Sequence, residues 1–225
     1  MERALIITKD GSHTISIPDL KVSYHSLYGA IQESRHVFIN AGLKYFLSNR
    51  TPEKVPIFEM GFGTGLNALL TLIEAEERNI PIQYTAIELF PLTPDEASAL
   101  NYCDHLNRKD LLSAFEQLHL CEWEKDISIS PYFTIHKQKN SFLNFKTSKL
   151  QNLVYFDAFA PAAQPELWTK EIFEILYSVL VPEGVLVTYC SKGDVRRALQ
   201  AAGFVVEKIA GPPGKREIVR AIKKI

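Results

Sequence analysis

Three glycines in five residues, Gly61, Gly63 and Gly65, interrupt the stretch Val55-Pro-Ile-Phe-Glu-Met-Gly-Phe-Gly-Thr-Gly-Leu-Asn-Ala-Leu-Leu-Thr71 and leave few architectures open to the chain. The residues before them form an apolar run short enough for a buried strand. Those after them continue as an apolar helix. Glycine at such a junction permits a tight turn and a backbone approach that any Cβ would obstruct. The unpaired N–H groups that open the helix then face whatever occupies the turn. Strand, glycine turn and helix in this order predict a nucleotide-type cofactor site in a doubly wound α/β sheet.

The spacing narrows the cofactor. A dinucleotide turn asks for G-x-G-x-x-G/A, its last small residue packing helix on strand. Leu66 stands at that third position and the glycine falls one residue early, which disfavours a dehydrogenase. The run Glu59-x-Gly61-x-Gly63-x-Gly65 instead resembles the first motif of class I S-adenosylmethionine-dependent methyltransferases.

Composition excludes other chemistries. Cys103, Cys121 and Cys190 are far apart and the six histidines are scattered, so neither a disulfide framework nor a metal site is expected. With 46% hydrophobic and 23% charged residues the chain reads as a soluble globule. No apolar run reaches the length of a membrane span. The N-terminus lacks a basic segment followed by an apolar core, so a cytoplasmic protein is expected. Charge is uneven: from residue 186 onward nine basic residues face three acids, within a net charge of −1 for the whole chain. Such a skew marks either a face for an anionic partner or a solvated C-terminal hairpin.

Around the glycine turn the chain reads as follows. Residues 3–17 alternate about Asp10-Gly11, a hairpin signal. Ile31 to Leu47 is helical, and its Glu33-Ser34-Arg35 lies near the cofactor end or forms a surface ion pair. Ile82 to Glu88 is a second strand whose terminal carboxylate would accept hydrogen bonds from two ribose hydroxyls. Thr93-Pro-Asp-Glu96 is a capping box that starts a helix to about residue 102. Residues 104–130 read as an inserted excursion, and Tyr132 to His136 as a third strand. After it, Gln138, Lys139 and Asn140 are the candidates to meet an adenine. The strand from Leu153 delivers Asp157 at its C-terminal end, where ligands of open α/β sheets bind, beside the glycine loop. A helix over Pro165 to Leu180 is stopped by Pro182-Glu-Gly184, and a strand follows over Gly184 to Cys190. A helix over Gly193 to Ala202 and two strands across Gly-Pro-Pro-Gly-Lys-Arg complete the chain. The fold expected is α/β and Rossmann-like: a seven-stranded, mostly parallel sheet with helices on both faces. Residues 1–50 would form a hairpin-and-helix extension packed on a main domain of residues 51–225.

Several blocks resemble a single family. They are Tyr24-His-Ser26, Glu33-Ser-Arg-His-Val-Phe38, Glu59 to Asn67, Phe90-Pro-Leu-Thr93, Asp157-Ala-Phe-Ala-Pro-Ala162 with Pro165-Glu-Leu-Trp-Thr169, Val195 to Phe204 and Gly214-Lys-Arg-Glu217. They occur in order over nearly the whole chain, and together they resemble the methyltransferase half of the MnmC family of tRNA wobble-uridine modification enzymes. The resemblance implies S-adenosyl-L-methionine as cofactor and methylation of 5-aminomethyl-(2-thio)uridine in the tRNA anticodon loop. It carries Glu59, Gly61, Gly63, Thr64, Gly65, Asn67 and Glu88 to cofactor binding. Asp157 is implied either as the carboxylate that takes the amine's proton or as a partner of the cofactor's own amino group. Phe159 and Pro161 would wall the base, and Lys215, Arg216 and Arg197 would neutralise phosphates. The chain is expected to resemble the stand-alone form, its amine supplied by a separate FAD-dependent oxidase or another enzyme. The residues leave open a methyltransferase of another amine, or a module that binds cofactor or tRNA without turnover.

Overall fold

Every interior strand carries apolar residues on both faces, and a sheet of that kind must be covered twice. The computed structural model describes residues 2–48, 50–145 and 149–224. It opens with a small antiparallel sheet of β1 (Ala4–Ile7), β2 (His13–Ile17) and β3 (Val22–Ser23). The β1–β2 turn is closed by Asp10, whose Oδ1 accepts the Ser12 N–H at 3.0 Å. The expected hairpin is therefore present, extended by a third short strand. Residues 30–47 form one continuous helix, α1. Its ends (Ala30–Ser34 and Tyr45–Leu47) are α-wound and its centre (Arg35–Lys44) is π-wound.

The main sheet and its helices follow: β4 (Val55–Met60), α2 (Leu66–Arg78), β5 (Ile82–Ile87), α3 (Pro94–Ser98), α4 (Tyr102–His105), α5 (Leu112–Leu120), β6 (Asp126–Ser130), β7 (Phe133–Gln138), β8 (Gln151–Phe156), α6 (Lys170–Val179), β9 (Leu180–Thr188), α7 (Gly193–Ala201), β10 (Val205–Ala210) and β11 (Glu217–Ile222). The strand order is β10-β11-β9-β8-β4-β5-β7-β6. β11 runs against both its neighbours, and β6 runs against β7. The other pairings are parallel.

The sheet has eight strands where seven are expected. The addition is β6, in the stretch read as an excursion: Asp-Ile-Ser-Ile-Ser alternates, but it is short and polar and pairs only at the edge. A second difference concerns β9, which runs through Pro182-Glu183-Gly184 instead of starting after them. Gln151 pairs with Leu180 but Leu153 with Val185, so three residues bulge outward between the two pairings. Lys223 backbone bonds to Glu183 and Gly184 hold the bulge in place. The helix expected to reach residue 102 divides into α3 and α4, although its capping box forms: Thr93 Oγ1 accepts the Glu96 N–H at 3.2 Å. The helix expected from Pro165 is a 3₁₀ turn followed by α6, with Thr169 capping α6.

Alternation along the strands assigns each residue to a layer. Ile57, Tyr84, Tyr155 and Val187 pack with α1, α2 and α5. Phe58, Phe156 and Leu186 pack with α6 and α7. Trp168 belongs to the second layer and meets Phe156 edge-on at 4.8 Å. Its Nε1 donates to the Phe159 carbonyl at 2.8 Å, which fixes the turn after β8. Trp168→Ala should cost about 3–5 kcal/mol by the usual range for truncating a buried tryptophan. Urea unfolding reads this directly, and a loss below about 1 kcal/mol would contradict the packing described.

Candidate cofactor and acceptor site

The parallel strands all point their C-terminal ends to one edge, and each hands over a residue there. Met60 is followed by Gly61, Ile87 by Glu88, Phe156 by Asp157, and Thr188 by Tyr189. β4 lies between β5 and β8, so the order reverses beside it, the place where open α/β sheets form their crevice. A cavity of about 460 Å³ occupies that crevice. Residues of the N-terminal sheet, α1 and the β10–β11 turn complete its walls.

At one end the glycine turn closes against the sheet. Gly61 has φ +90°, and a Cβ on it would stand 2.9 Å from the Asp157 carbonyl oxygen, which is backbone and cannot step aside. Gly63 has φ +51°, and a Cβ there would meet the Tyr24 ring at 2.9 Å. Its N–H donates to Glu88 Oε2 at 3.0 Å, and the Phe90 N–H donates to Glu88 Oε1 at 2.8 Å. Two backbone bonds thus aim this carboxylate into the cavity while leaving lone pairs for further donors. That is a fitting partner for a pair of sugar hydroxyls.

Beneath the turn, Asn67 Nδ2 donates both to Glu59 Oε1 at 3.0 Å and to Asp157 Oδ2 at 2.9 Å. Its own Oδ1 is buried without a hydrogen-bond partner among the described residues. Burial pushes Glu59 well above the usual carboxylate range, against its bond from Asn67 and with the Asp157 charge adding to the rise. Burial, and then the charge of Glu33, push Asp157 up to about 7, opposed by the Asn67 bond and by Lys215. Lys215 Nζ lies 2.5 Å from Glu33 Oε1 and 3.9 Å from the centroid of the Tyr189 ring. Glu33 Oε2 accepts the Ser26 N–H at 2.7 Å, and the Tyr189 hydroxyl donates to the Ala158 carbonyl at 2.8 Å. Phe159 meets Tyr24 edge-on at 5.1 Å, so aromatic rings wall part of the cavity. A hydroxyl-accepting carboxylate after β5, on one side of β4, and an unsatisfied Asn67 oxygen with Asp157 after β8, on the other, fit a nucleoside cofactor with a charged, amine-bearing tail.

The expected site residues separate into three groups. Gly61, Gly63, Thr64, Asn67 and Glu88 line the cavity, as do Asp157, Phe159 and Lys215. Glu59 and Gly65 lie behind the lining: Glu59 is fully buried beneath Asn67, and a Cβ on Gly65 would touch the His119 ring at 2.9 Å. Pro161, Arg197 and Arg216 are not brought to it. Arg197 is exposed on α7 and paired with Asp194, and Arg216 is exposed on its turn. Of the adenine candidates Asn140 lines the cavity, while Gln138 and Lys139 do not. Sequence reasoning missed Tyr24 and Tyr189 and left Glu33 ambiguous. Tyr189 had a usable signal, since it directly follows a parallel strand as Glu88 and Asp157 do. Among the described residues no cluster of His, Cys, Asp and Glu could hold a metal ion, and no helix is long and apolar enough to cross a membrane.

Comparison with known proteins bears on this geometry. A family profile described as S-adenosyl-L-methionine-dependent methyltransferase matches residues 112–224. The tRNA 5-methylaminomethyl-2-thiouridine biosynthesis bifunctional protein MnmC of Aeromonas salmonicida (strain A449) is 30% identical over 212 residues, spanning 85% of this chain. The match takes in 31% of that relative, so this chain spans about a third of its length. The crystal structure of MNMC2 from Aquifex aeolicus superposes with a TM-score of 0.80 at 23% identity, covering 99% of this chain and 70% of that one. The N-methyltransferase NodS from Bradyrhizobium japonicum WM9 gives 0.52 at 14% identity over 87% of this chain and 97% of that one. These two structures share the fold.

Proposed function

Because this chain belongs to the S-adenosyl-L-methionine-dependent methyltransferase family and is MnmC-like, we propose that it methylates the exocyclic amine of 5-aminomethyl-(2-thio)uridine at the tRNA wobble position. The observation that carries this reading is Asp157, held by Asn67 beside the glycine turn in an aromatic-walled cavity that Glu88 also lines. Glu88 and the turn would hold the nucleoside part of the cofactor, and Asn67 its charged tail. The cofactor supplies a sulfonium methyl, which an amine lone pair takes while the C–S electron pair stays on sulfur.

The protein's part is positioning and one proton. An alkylamine near neutral pH is mostly an ammonium and cannot attack. It gives a proton to the Asp157 carboxylate, its freed lone pair forms the new N–C bond, and the product leaves as a secondary ammonium. Asp157 then releases its proton to water. A carboxyl group near 7 suits that exchange, because a base matched to the working pH both takes and returns a proton readily. Phe159 and Tyr24 would flank the base that carries the amine. The wobble nucleoside is reached through the similarity to MnmC, whose name states that product. An amine-forming activity, such as that of an FAD-dependent oxidase, would then supply the amine.

The test is mass spectrometry of nucleosides from tRNA lacking the modification, incubated with protein and cofactor. The expected result is a gain of one methyl on 5-aminomethyl-uridine. Methylation of free small amines with no tRNA requirement would replace this reading with another amine methyltransferase. Cofactor binding without any turnover would reduce the protein to a binding module.

A further inference from the structure

Lys215 departs from its surroundings. It sits in an exposed, basic turn beside Arg216, yet its side chain enters the cavity and ends against Glu33 and Tyr189. Exposed ion pairs contribute little, but this pair is of another kind, since the Glu33 side chain is only 8% exposed. Nor can Glu33 follow the lysine elsewhere, because Ser26 N–H fixes its second oxygen and α1 fixes its backbone. Glu33, Lys215 and Asp157 together hold one cation against two carboxylates. One negative charge is left uncompensated whenever Asp157 is ionised.

Other titratable groups also pack near Asp157. Burial raises Glu59 on β4 well above the usual carboxylate range, which favours its neutral form, and it raises the phenols of Tyr84 on β5 and Tyr189 after β9, which therefore stay protonated at neutral pH. His25, beside Glu33 and Lys215, is pushed down to about 4 by its burial and is neutral. From α2 only the uncharged Asn67 reaches Asp157.

Resting on the reading of Asp157 as proton acceptor, we propose that Glu33 and Lys215 are positioning residues with opposed action on Asp157, and that the negative charge the three groups retain selects an acceptor arriving as a primary ammonium. Glu33 makes Asp157 willing to take a proton. Lys215 prevents it from holding one permanently. Removing either charge displaces the balance in a known direction.

The experiment is a titration of Asp157 in the full chain by NMR, with carboxyl-¹³C aspartate and the signal assigned by its loss in Asp157→Asn. Glu33→Gln should lower the Asp157 midpoint by about one unit or more, the usual size for a nearby charge. Lys215→Gln should raise it by a comparable amount, and Lys215→Arg should restore it. Glu33→Gln should also raise KM for the amine acceptor more than it lowers kcat. Midpoints unchanged in Glu33→Gln, or moved the same way by both variants, would overturn the proposal. So would a Lys215→Arg protein that titrates like Lys215→Gln. Glu33→Gln is isosteric, so its result stands even if a lysine variant fails to fold. Midpoints that move as stated while the pH limb of kcat stays fixed would support the charge pair and remove Asp157 from the proton path. That outcome overturns the functional reading and not the pair.

Discussion

Asp157→Asn should lower methyl transfer by about 10²–10⁴-fold, the usual range for losing a general base, while cofactor affinity stays within a few fold. Asparagine keeps the shape and can still accept the bond from Asn67 Nδ2, so the cavity is preserved. What is lost is the proton acceptor. Single-turnover kinetics and calorimetric cofactor binding separate the two effects. A collapse of cofactor binding with this variant would assign Asp157 to the cofactor's amino group instead.

The same substitution carries a stability signature whose sign follows from linkage. Asp157 is raised in the folded protein from 3.8 to about 7, so the fold prefers its neutral form. Between those values the native state binds the extra proton, and stability falls as pH rises through that window. The neutral asparagine has no such loss. Its melting temperature, compared with that of the parent, should therefore improve as pH goes from 5 to 8. A difference independent of pH would mean that the carboxyl group is not held high. A residue that stabilises when neutralised yet stops the reaction when replaced is the expected trade of function against stability.

Gly61→Ala should reduce cofactor affinity by about 100-fold, and by clearly more than Gly63→Ala. A left-handed or stranger backbone costs a side-chain-bearing residue on the order of 1–3 kcal/mol, and each 1.4 kcal/mol is tenfold in binding. Both glycines have positive φ, but Gly61 at +90° lies further from the region that L residues tolerate than Gly63 at +51°. The neighbours differ more. The Gly63 Cβ would press on the ring of Tyr24, a side chain able to shift, whereas the Gly61 Cβ would press on the Asp157 backbone oxygen. Relief at Gly61 must part the ends of β4 and β8 and move the acid itself. Equal losses at the two positions, read by isothermal calorimetry, would show that the close approach of these two strand ends is not what shapes the site.

Much of this was legible because it is local or follows from strand direction. The glycine turn, Glu88 and Asp157 each end a parallel strand, so three short patterns and the sheet rule place them at one edge. The two-faced strands from Val55 and Leu153 were legible for a similar reason: a nearly continuous apolar run needs cover on both sides. Position in a turn is a weaker guide. Lys215 and Arg216 are adjacent and equally charged, and only tertiary packing sends one inward to Glu33 and the other to solvent. Tyr24 directly follows β3, and no local pattern sets that small sheet beside the glycine turn. Arg3 holds it there, donating to the Pro91 carbonyl at 3.1 Å and pairing with Glu96 at 2.9 Å. Pro182-Glu183-Gly184 reads as a stop, and by local propensity it is one. Backbone bonds to Lys223, far along the chain, turn it into a bulge within a strand.

The pairing of Glu33 with Lys215 also has a meaning in time. A ribosome makes Glu33 long before Lys215, and throughout the interval α1 carries a carboxylate destined for a buried place without this cation to neutralise it. The nascent chain therefore has reason to leave that corner open and wet until the β10–β11 turn arrives. Closure of the pocket then waits on the β10–β11 turn, so that a chain cut before that turn would present the glycine turn without the chamber in which to use it.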